Sequence, residues 1–206
     1  DGDGDRLIVV DDKGNEVDGD KIIALFAKHL IPKNKKNIKF PVVTTVMSNL
    51  GFENYLSTKL KIKLRRTNVG DINVINQIIK NKSYLGGEQS GHIILPEWSN
   101  TGDGILAAIK ITEIMSKEKQ ASSEIFNLYE SLPQIKVNIP YKNISNKSIK
   151  SIYNLEKKYS NSDVRILIRF SGTEPLIRLL VEGENIKKVK NYINILENEI
   201  RLKIEK

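Results

Sequence analysis

The spacing of hydrophobic and polar positions changes along this chain. Apolar residues recur at helical spacing in three stretches, 22–30, 74–79 and 105–115. Short apolar runs at 40–46 and 93–95 predict strands. Strands that alternate with helices across residues 20–117 predict an α/β domain, with helices packed on a mixed sheet.

Polar residues and prolines mark the ends of these elements. Asp18 or Asp20 is placed to cap the first helix, which Pro32 ends, and Asp71 is placed to cap the second. Residues 59–64 alternate lysine with apolar side chains, so they predict a strand with one buried and one solvated face.

The C-terminal part of the chain predicts a smaller second domain. A short helical stretch at 122–132 leads out of the first domain. The pattern beyond it predicts a strand, a helix, two strands joined by a tight turn and a long helix, at 134–139, 148–158, 164–170, 176–182 and from 185. Tightly joined strands imply an antiparallel sheet and an α+β unit. We assign an α/β domain to 18–120, a connection to 121–133 and an α+β domain to 134–206.

Composition narrows the class of protein. The chain has 206 residues, of which 39% are hydrophobic and none is cysteine. It can therefore bury a core, but it cannot form disulfides, thiolate metal sites or a cysteine nucleophile. No apolar run approaches the roughly 20 residues that span a bilayer. We expect a soluble, cytoplasmic protein without a membrane partner.

The net charge of +8 raises the alternative of a noncatalytic basic module that binds nucleic acid. The basic surplus is mostly lysine, scattered over predicted solvated faces. Nucleic-acid binding favours arginine interleaved with aromatic residues, and aromatics make up only 6% of this chain. We therefore expect no nucleic-acid partner.

The first candidate site is the acidic segment at residues 1–5. Asp1, Asp3 and Asp5 alternate with glycines that allow a tight turn, so their carboxylates can converge on a hard cation such as Mg²⁺ or Ca²⁺. A calcium-binding EF-hand loop would need glycine at its sixth position and glutamate at its twelfth, where Arg6 and Asp12 stand. A solvated acidic turn before a strand remains as the alternative.

The second candidate site is the glycine-rich stretch 86–92. Its glycines let the backbone approach a ligand, and Glu88 and Ser90 can form hydrogen bonds with sugar hydroxyls. Short strands are predicted on both sides, at 84–85 and 93–95, so these residues lie on a strand-to-strand loop, where binding residues are common. A glycine-rich hairpin with solvated polar residues is the alternative.

The third candidate site is the turn between the last two predicted strands. Arg169 and Arg178 flank the hydroxyls of Ser171 and Thr173 and the backbone N–H groups around Gly172. This set suits a phosphate dianion, because arginine pairs with phosphate oxygens through two N–H groups. An ordinary hairpin with an arginine on each arm is the alternative.

Taken in this order, the acidic loop, the Gly-Glu-X-Ser-Gly-His loop and the Arg-X-Ser-Gly-Thr-Glu-Pro loop resemble the α-D-phosphohexomutases. The resemblance covers the whole chain. Residues 46–51, 69–71 and 101–104 support it, and they are most similar to the subgroup that acts on glucosamine phosphates. Ile72 and Asn73 stand where family members usually have an arginine and an aromatic residue.

The resemblance implies four domains, of which residues 1–17 would end the second and the remainder would form the third and fourth. It implies Mg²⁺ held by Asp1, Asp3 and Asp5, a phosphoserine on a domain absent from this chain, and a hexosamine or hexose 1,6-bisphosphate primer. Arg6 would offset phosphate charge or pair with the neighbouring acids.

The resemblance also assigns the substrate contacts. Glu88 and Ser90 would hold sugar hydroxyls, and His92 would contact the substrate or orient the loop. The phosphate that is not reacting would be held by Arg169, Ser171, Gly172, Thr173 and Arg178.

The implied enzyme is an isomerase that interconverts glucosamine 6-phosphate and glucosamine 1-phosphate, in the supply of cell-wall amino sugars. A phosphomannomutase or phosphoglucomutase reaction is the alternative within the family. The implied partners are the phosphosugar, the upstream domains of the same enzyme and, in a homodimer, a second copy. We expect this chain alone to be inactive.

Overall fold

The computed structural model describes residues 1–30, 40–160 and 163–204. The chain forms two compact units, Asp1–Ser131 and Leu132–Lys206. The prediction that Pro32 ends the first helix lies outside the described residues. Within the described ranges, no helix is long and apolar enough to cross a membrane.

The first unit is an α/β structure. Its strands are β1 (Val9–Val10), β2 (Glu16–Val17), β3 (Val42–Thr45), β4 (Leu64–Thr67), β5 (Gly86–Gly87) and β6 (Ile93–Ile94). Its helices are α1 (Gly19–His29), α2 (Leu50–Tyr55), α3 (Asp71–Asn81), α4 (Gly104–Glu118) and α5 (Ser122–Ile125). A small hairpin pairs β1 with β2, and the other four strands form a sheet in the order β4-β3-β5-β6, in which β6 is antiparallel to β5 and the other pairs are parallel. The predicted mixed sheet with helices is therefore confirmed.

Helix α1 lies at the centre of the core of the first unit. Asp18 is its N-cap, since its Oδ1 accepts a hydrogen bond from the Lys21 N–H (3.0 Å). Ile22 and Phe26 are fully buried, and they belong to a cluster that also includes Phe52 of α2. Full burial of such a side chain contributes about 1.5–3 kcal/mol to folding.

The predicted strand at 59–64 is wrong. Residues Leu56–Leu60 form a π-helical turn that continues α2, and Lys61 then adopts a left-handed conformation (φ 58°). The Ile62 N–H donates to the Leu56 carbonyl (2.9 Å), and the Ile62 side chain is buried in the core. A helix end followed by an extended segment thus reproduces the alternation of a strand, and β4 begins only at Leu64.

Three further boundaries differ from the prediction. Gly70, without a side-chain cap, is the N-cap of α3, and Asp71 is its first residue. The strand expected at 84–85 lies two residues later, at Gly86–Gly87, although the Leu85 carbonyl still accepts from the Val43 N–H (3.2 Å). The helix expected at 122–132 is the short α5.

The second unit is the predicted α+β structure. The elements are β7 (Gln134–Pro140), α6 (Asn146–Tyr159), β8 (Val164–Phe170), β9 (Leu176–Gly183) and α7 (Ile186–Ile204). The antiparallel sheet has the order β7-β9-β8, and the buried faces of β8 and β9 pack with α6 and α7. The long β8–β9 pairing places the turn at 171–175 at one end of the sheet.

One buried carboxylate links two helix starts in the first unit. Asp20, in the first turn of α1, is fully buried, and its Oδ2 accepts from the Asn49 N–H (2.8 Å) at the N-cap of α2. Burial raises the pKa of Asp20 from 3.8 to about 6, although the hydrogen bond from Asn49 lowers it in part. Asp20 therefore binds its proton more tightly in the folded chain.

This raised pKa predicts that Asp20 makes folding less favourable as the pH rises from about 4 to 6, because deprotonation then leaves a buried charge. A pKa raised from 3.8 to about 6 lowers the free energy of unfolding by roughly 3 kcal/mol across this pH range, at ~1.4 kcal/mol per pH unit. Asp20→Asn should remove this pH dependence in urea unfolding. The variant Asp71→Asn, at an exposed position, should keep this pH dependence. If the difference in unfolding free energy between Asp20→Asn and the unsubstituted chain were the same at every pH, the account would be contradicted.

Candidate active site

The acidic loop brings its three carboxylates together. One oxygen each from Asp1, Asp3 and Asp5 lies within 4.8 Å of the other two, a spacing that oxygens around one hard cation can adopt. Asp5 Oδ1 is buried and has no hydrogen-bond partner among the described residues. Because a buried carboxylate oxygen needs a partner, this atom fits a metal ligand. The three aspartates therefore form a group that can hold a cation.

Arg6 lies beside this cluster. Its Nε is 2.6 Å from Asp1 Oδ2 and 3.7 Å from Asp5 Oδ1, and its backbone N–H donates to Asp1 Oδ1 (3.2 Å). Its side chain remains half exposed. Of the two roles that the sequence leaves open for Arg6, this geometry corresponds to pairing with the neighbouring acids.

His92 connects the acidic loop with the glycine-rich loop. It is 7% exposed, its Nδ1 lies 3.8 Å from Asp5 Oδ2, and its backbone pairs antiparallel with Arg6. The imidazole lies against Gly102, where a Cβ atom would be 1.9 Å from the ring atoms Cδ2 and Nε2. Any larger residue at position 102 would therefore have to displace the imidazole.

The glycine-rich loop is held mainly through its backbone. The Leu7 N–H donates to the Gly91 carbonyl (3.1 Å), and the Gly19 N–H donates to the Gln89 carbonyl (2.9 Å). Gly91 has a φ of +94°, and a Cβ atom there would be 2.2 Å from the Leu7 carbonyl oxygen. These contacts fix the loop to residues 1–17 and to the start of α1 while Ser90 stays exposed.

Glu88 is anchored by a residue outside its own loop. Its Oε1 accepts a hydrogen bond from the Gly70 N–H (3.1 Å), and its Oε2 has no hydrogen-bond partner among the described residues. One carboxylate oxygen therefore orients the side chain, and the other is available to a ligand. Gly70 is a site residue that sequence reasoning missed, although the Val-Gly-Asp motif that contains it was a signal.

Both loops meet at one edge of the sheet. Strands β3, β4 and β5 are parallel, so Val46, Asn68 and Glu88, which follow them, lie at their carboxyl ends. Ligands of open α/β sheets bind in the crevice outside such ends. The start of α4 joins this edge, because the Gly104 N–H donates to the Gly4 carbonyl of the acidic loop (2.9 Å) and Asp103 caps the helix. Asp103 is thus the predicted N-cap.

The hairpin that follows the acidic loop is anchored by Asp12. Its carboxylate accepts from the Ser123 N–H (2.6 Å) and the Ser122 Oγ (2.8 Å), in the first turn of α5, whose own N-cap Ala121 makes no side-chain hydrogen bond. These bonds, chiefly that from the Ser123 backbone, lower the pKa of Asp12 from 3.8 to about 2. Asp12 thus caps a helix 110 residues away in the chain.

The arginine-rich turn lies in the second unit. Arg169 and Arg178 are cross-strand partners on β8 and β9. Arg178 Nη2 donates to Glu174 Oε2 (2.8 Å) and to Ser171 Oγ (3.4 Å). The Glu174 contact, which sequence reasoning missed, offsets the charge of Arg178, and the spacing of four residues around the turn was its signal.

The residues of this turn that would contact phosphate differ in exposure. Gly172 and Thr173 are exposed, and a Cβ atom on Gly172 would meet nothing within 4 Å. The Ser171 N–H donates to the Leu176 carbonyl (2.8 Å), so it closes the turn. The turn is therefore closed at its base and exposed at its tip, where backbone N–H groups can face an anion.

Family comparisons agree with this architecture. A family model described as "Phosphoglucomutase/phosphomannomutase, alpha/beta/alpha domain III" matches residues 18–132, and one described as "Phosphoglucomutase/phosphomannomutase, C-terminal domain" matches residues 135–198. Two consecutive phosphohexomutase domains thus account for most of the chain. The chain belongs to the phosphoglucomutase/phosphomannomutase family.

Among curated relatives, the chain is 43% identical to a phosphoglucosamine mutase of Fusobacterium nucleatum, covering 100% of this chain and 46% of the relative. It is 42% identical to a phosphoglucosamine mutase of Bacillus subtilis, covering 98% of this chain and 45% of the relative. The chain therefore spans about half the length of the curated relatives it matches.

Solved structures show the same fold at lower identity. An N-acetylphosphoglucosamine mutase of Aspergillus fumigatus matches with a TM-score of 0.78 at 19% identity, over 98% of this chain and 47% of that chain. A phosphoglucomutase/phosphomannomutase family protein of Burkholderia thailandensis matches with a TM-score of 0.80 at 19% identity, over 97% of this chain and 45% of that chain.

The contact between His92 and Gly102 generates a prediction for stability. Gly102→Ala should destabilise the first unit by about 1–3 kcal/mol, because the new methyl group overlaps the imidazole. Urea unfolding followed by amide hydrogen exchange in α1 measures this loss. Gly2→Ala is the matched control, since a Cβ atom there meets nothing within 4 Å. Equal effects of the two substitutions would contradict the proposed packing.

Proposed function

We propose that the chain is part of a phosphoglucosamine mutase, which interconverts glucosamine 6-phosphate and glucosamine 1-phosphate through a bisphosphate intermediate. The proposal rests on one observation: the three aspartates of the acidic loop lie next to the glycine-rich loop, at the carboxyl ends of the parallel strands. The identity of about 40% to phosphoglucosamine mutases over nearly the whole chain supports the choice of sugar.

In this proposal Asp1, Asp3 and Asp5 hold Mg²⁺, which withdraws charge from the phosphoryl group during its transfer. Asp5 Oδ1, which is buried and accepts no hydrogen bond from a described residue, supports this donor set. The A. fumigatus relative has been solved with GlcNAc-6P and magnesium, and a serine-to-alanine form of it with glucose 1,6-bisphosphate. We therefore assign Mg²⁺ and a hexosamine or hexose 1,6-bisphosphate primer to this protein too.

The phosphoserine of the mechanism would come from domains outside this chain, which the length of the relatives supports. Arg6 would keep the unliganded aspartates from repelling one another and would turn towards phosphate once a cation is bound. The half-exposed side chain of Arg6 supports such a change of partner.

The sugar would be held by the glycine-rich loop. Glu88 Oε2 and the Ser90 hydroxyl are the groups left uncommitted by the loop contacts, so they would bind sugar hydroxyls. His92 is almost fully buried between Asp5 and Gly102, which supports a role in orienting the loop rather than in touching the sugar.

The phosphate that is not reacting would be held by the second unit. Arg169 and Arg178 would supply the charge, and the open tip of the turn would supply the donors Ser171, Gly172 and Thr173. A mutase must accept the sugar in two orientations, because phosphate is added at one end and removed from the other. One site for the distant phosphate and one for hydroxyls would serve both, and such positioning can lower a barrier by up to roughly 7–11 kcal/mol.

A mutase assay tests the proposed function. The protein with its upstream reading frame would be assayed with Mg²⁺ and a hexose 1,6-bisphosphate, on the 6-phosphates of glucosamine, glucose and mannose. We expect kcat/KM for glucosamine 6-phosphate to be at least roughly tenfold higher than for the others. Equal or higher values for glucose or mannose would overturn the choice of sugar, and inactivity on all three would overturn the reaction.

The role of Arg169 predicts a specific kinetic change. Arg169→Ala should raise KM and lower kcat, with kcat/KM falling roughly 10- to 100-fold, because a charge-assisted hydrogen bond contributes about 1.5–3 kcal/mol. Arg201→Ala is the matched control, since Arg201 pairs with Glu197 on α7 (2.6 Å) and belongs to no proposed site. Unchanged kinetics in Arg169→Ala would remove this arginine from the phosphate site.

A further inference from the structure

A polar cavity of about 350 Å³ lies between β4 and α3 in the first unit. Its size is that of the smaller ligand pockets of proteins. Val46 and Asn68, which follow β3 and β4 at the carboxyl ends of these parallel strands, are among its lining residues. The cavity therefore reaches the sheet edge described above, but no residue of the acidic loop or of the glycine-rich loop lines it.

The two arginines of β4 have different surroundings. Arg66 donates from Nη1 to Glu53 Oε2 (2.7 Å) and from Nη2 to the Ser48 carbonyl (2.9 Å), which offsets its charge. Successive strand residues point to opposite faces, so Arg65 lies on the other face of β4. Arg65 is exposed, and among the described residues no carboxylate forms an ion pair with it. Its charge is therefore uncompensated at the cavity.

Helix α3 contributes carboxamides to the opposite wall. Asn73 Nδ2 donates to the Val69 carbonyl (2.9 Å), whereas the side-chain amides of Asn76 and Gln77 make no hydrogen bond to any described residue. Within the part of the chain that the structure describes, no aspartate or glutamate lines the cavity. The cavity therefore combines the positive charge of Arg65, which no carboxylate of a described residue offsets, with the side-chain N–H donors of Asn76 and Gln77.

We propose that this cavity binds a small oxyanion, a phosphate or carboxylate group of a metabolite, with Arg65 as the charged anchor and Asn76 and Gln77 as donors. The planar guanidinium of arginine matches the paired oxygens of both groups, and carboxamide N–H groups satisfy their remaining lone pairs. The proposal does not depend on the mutase reaction, because none of its residues belongs to the proposed sugar, metal or phosphate sites.

The test is an NMR titration of the isotope-labelled chain with sodium phosphate and, separately, with sodium succinate, at constant ionic strength. We expect saturable shifts of the Arg65, Asn76 and Gln77 side-chain signals with at least one probe. The probe that binds more tightly identifies the oxyanion group. Arg65→Gln should weaken that binding roughly tenfold or more, because it removes the charge-assisted hydrogen bonds.

The matched control is Lys59→Gln, which removes the same charge from an exposed position that does not line the cavity. It should keep the affinity of the unsubstituted chain within about twofold, since distant surface charges are screened. Equal affinity in Arg65→Gln, equal losses in both variants, non-saturating shifts with both probes, or shifts centred on residues 86–92 would each overturn the proposal.

Discussion

The packing of the buried His92 ring against Gly102 is the constraint on which the site of the first unit depends. The ring fills the space between α4 and the acidic loop, where Asp5 Oδ2 lies 3.8 Å from its Nδ1. The backbone of His92 pairs with Arg6, so a displacement of the imidazole would be transmitted to the aspartates of the acidic loop. Protein interiors are close-packed, and one added methyl group at position 102 is therefore enough to disturb the arrangement.

Backbone hydrogen bonds hold the two loops together, and this leaves polar side chains available for a ligand. Leu7 donates to Gly91, Gly19 donates to Gln89, and the Gly70 N–H occupies one oxygen of Glu88. Binding residues are commonly found on loops that a scaffold holds in position. In the proposed mutase, these backbone contacts would hold the residues that bind the sugar hydroxyls next to the cation.

The sequence predicted what depends on local patterns and missed what depends on tertiary contacts. The acidic cluster, the Asp103 cap and the antiparallel second unit followed from spacing alone. The strand at 59–64 failed because a π-helical turn followed by an extended segment alternates buried and exposed residues just as a strand does. The Glu88–Gly70 and Asp12–Ser123 bonds join residues far apart in the chain, so local spacing does not predict which residues pair, even where a motif marks one partner.

The most direct measurement of the central claim is paramagnetic broadening of amide NMR signals by Mn²⁺, used in place of Mg²⁺. If the acidic loop, the glycine-rich loop and the start of α4 form one site, low Mn²⁺ should broaden signals of residues 1–6, 91–92 and 102–104 together. Broadening confined to residues 1–5, or equally strong at exposed acids elsewhere such as Glu113, would contradict the account.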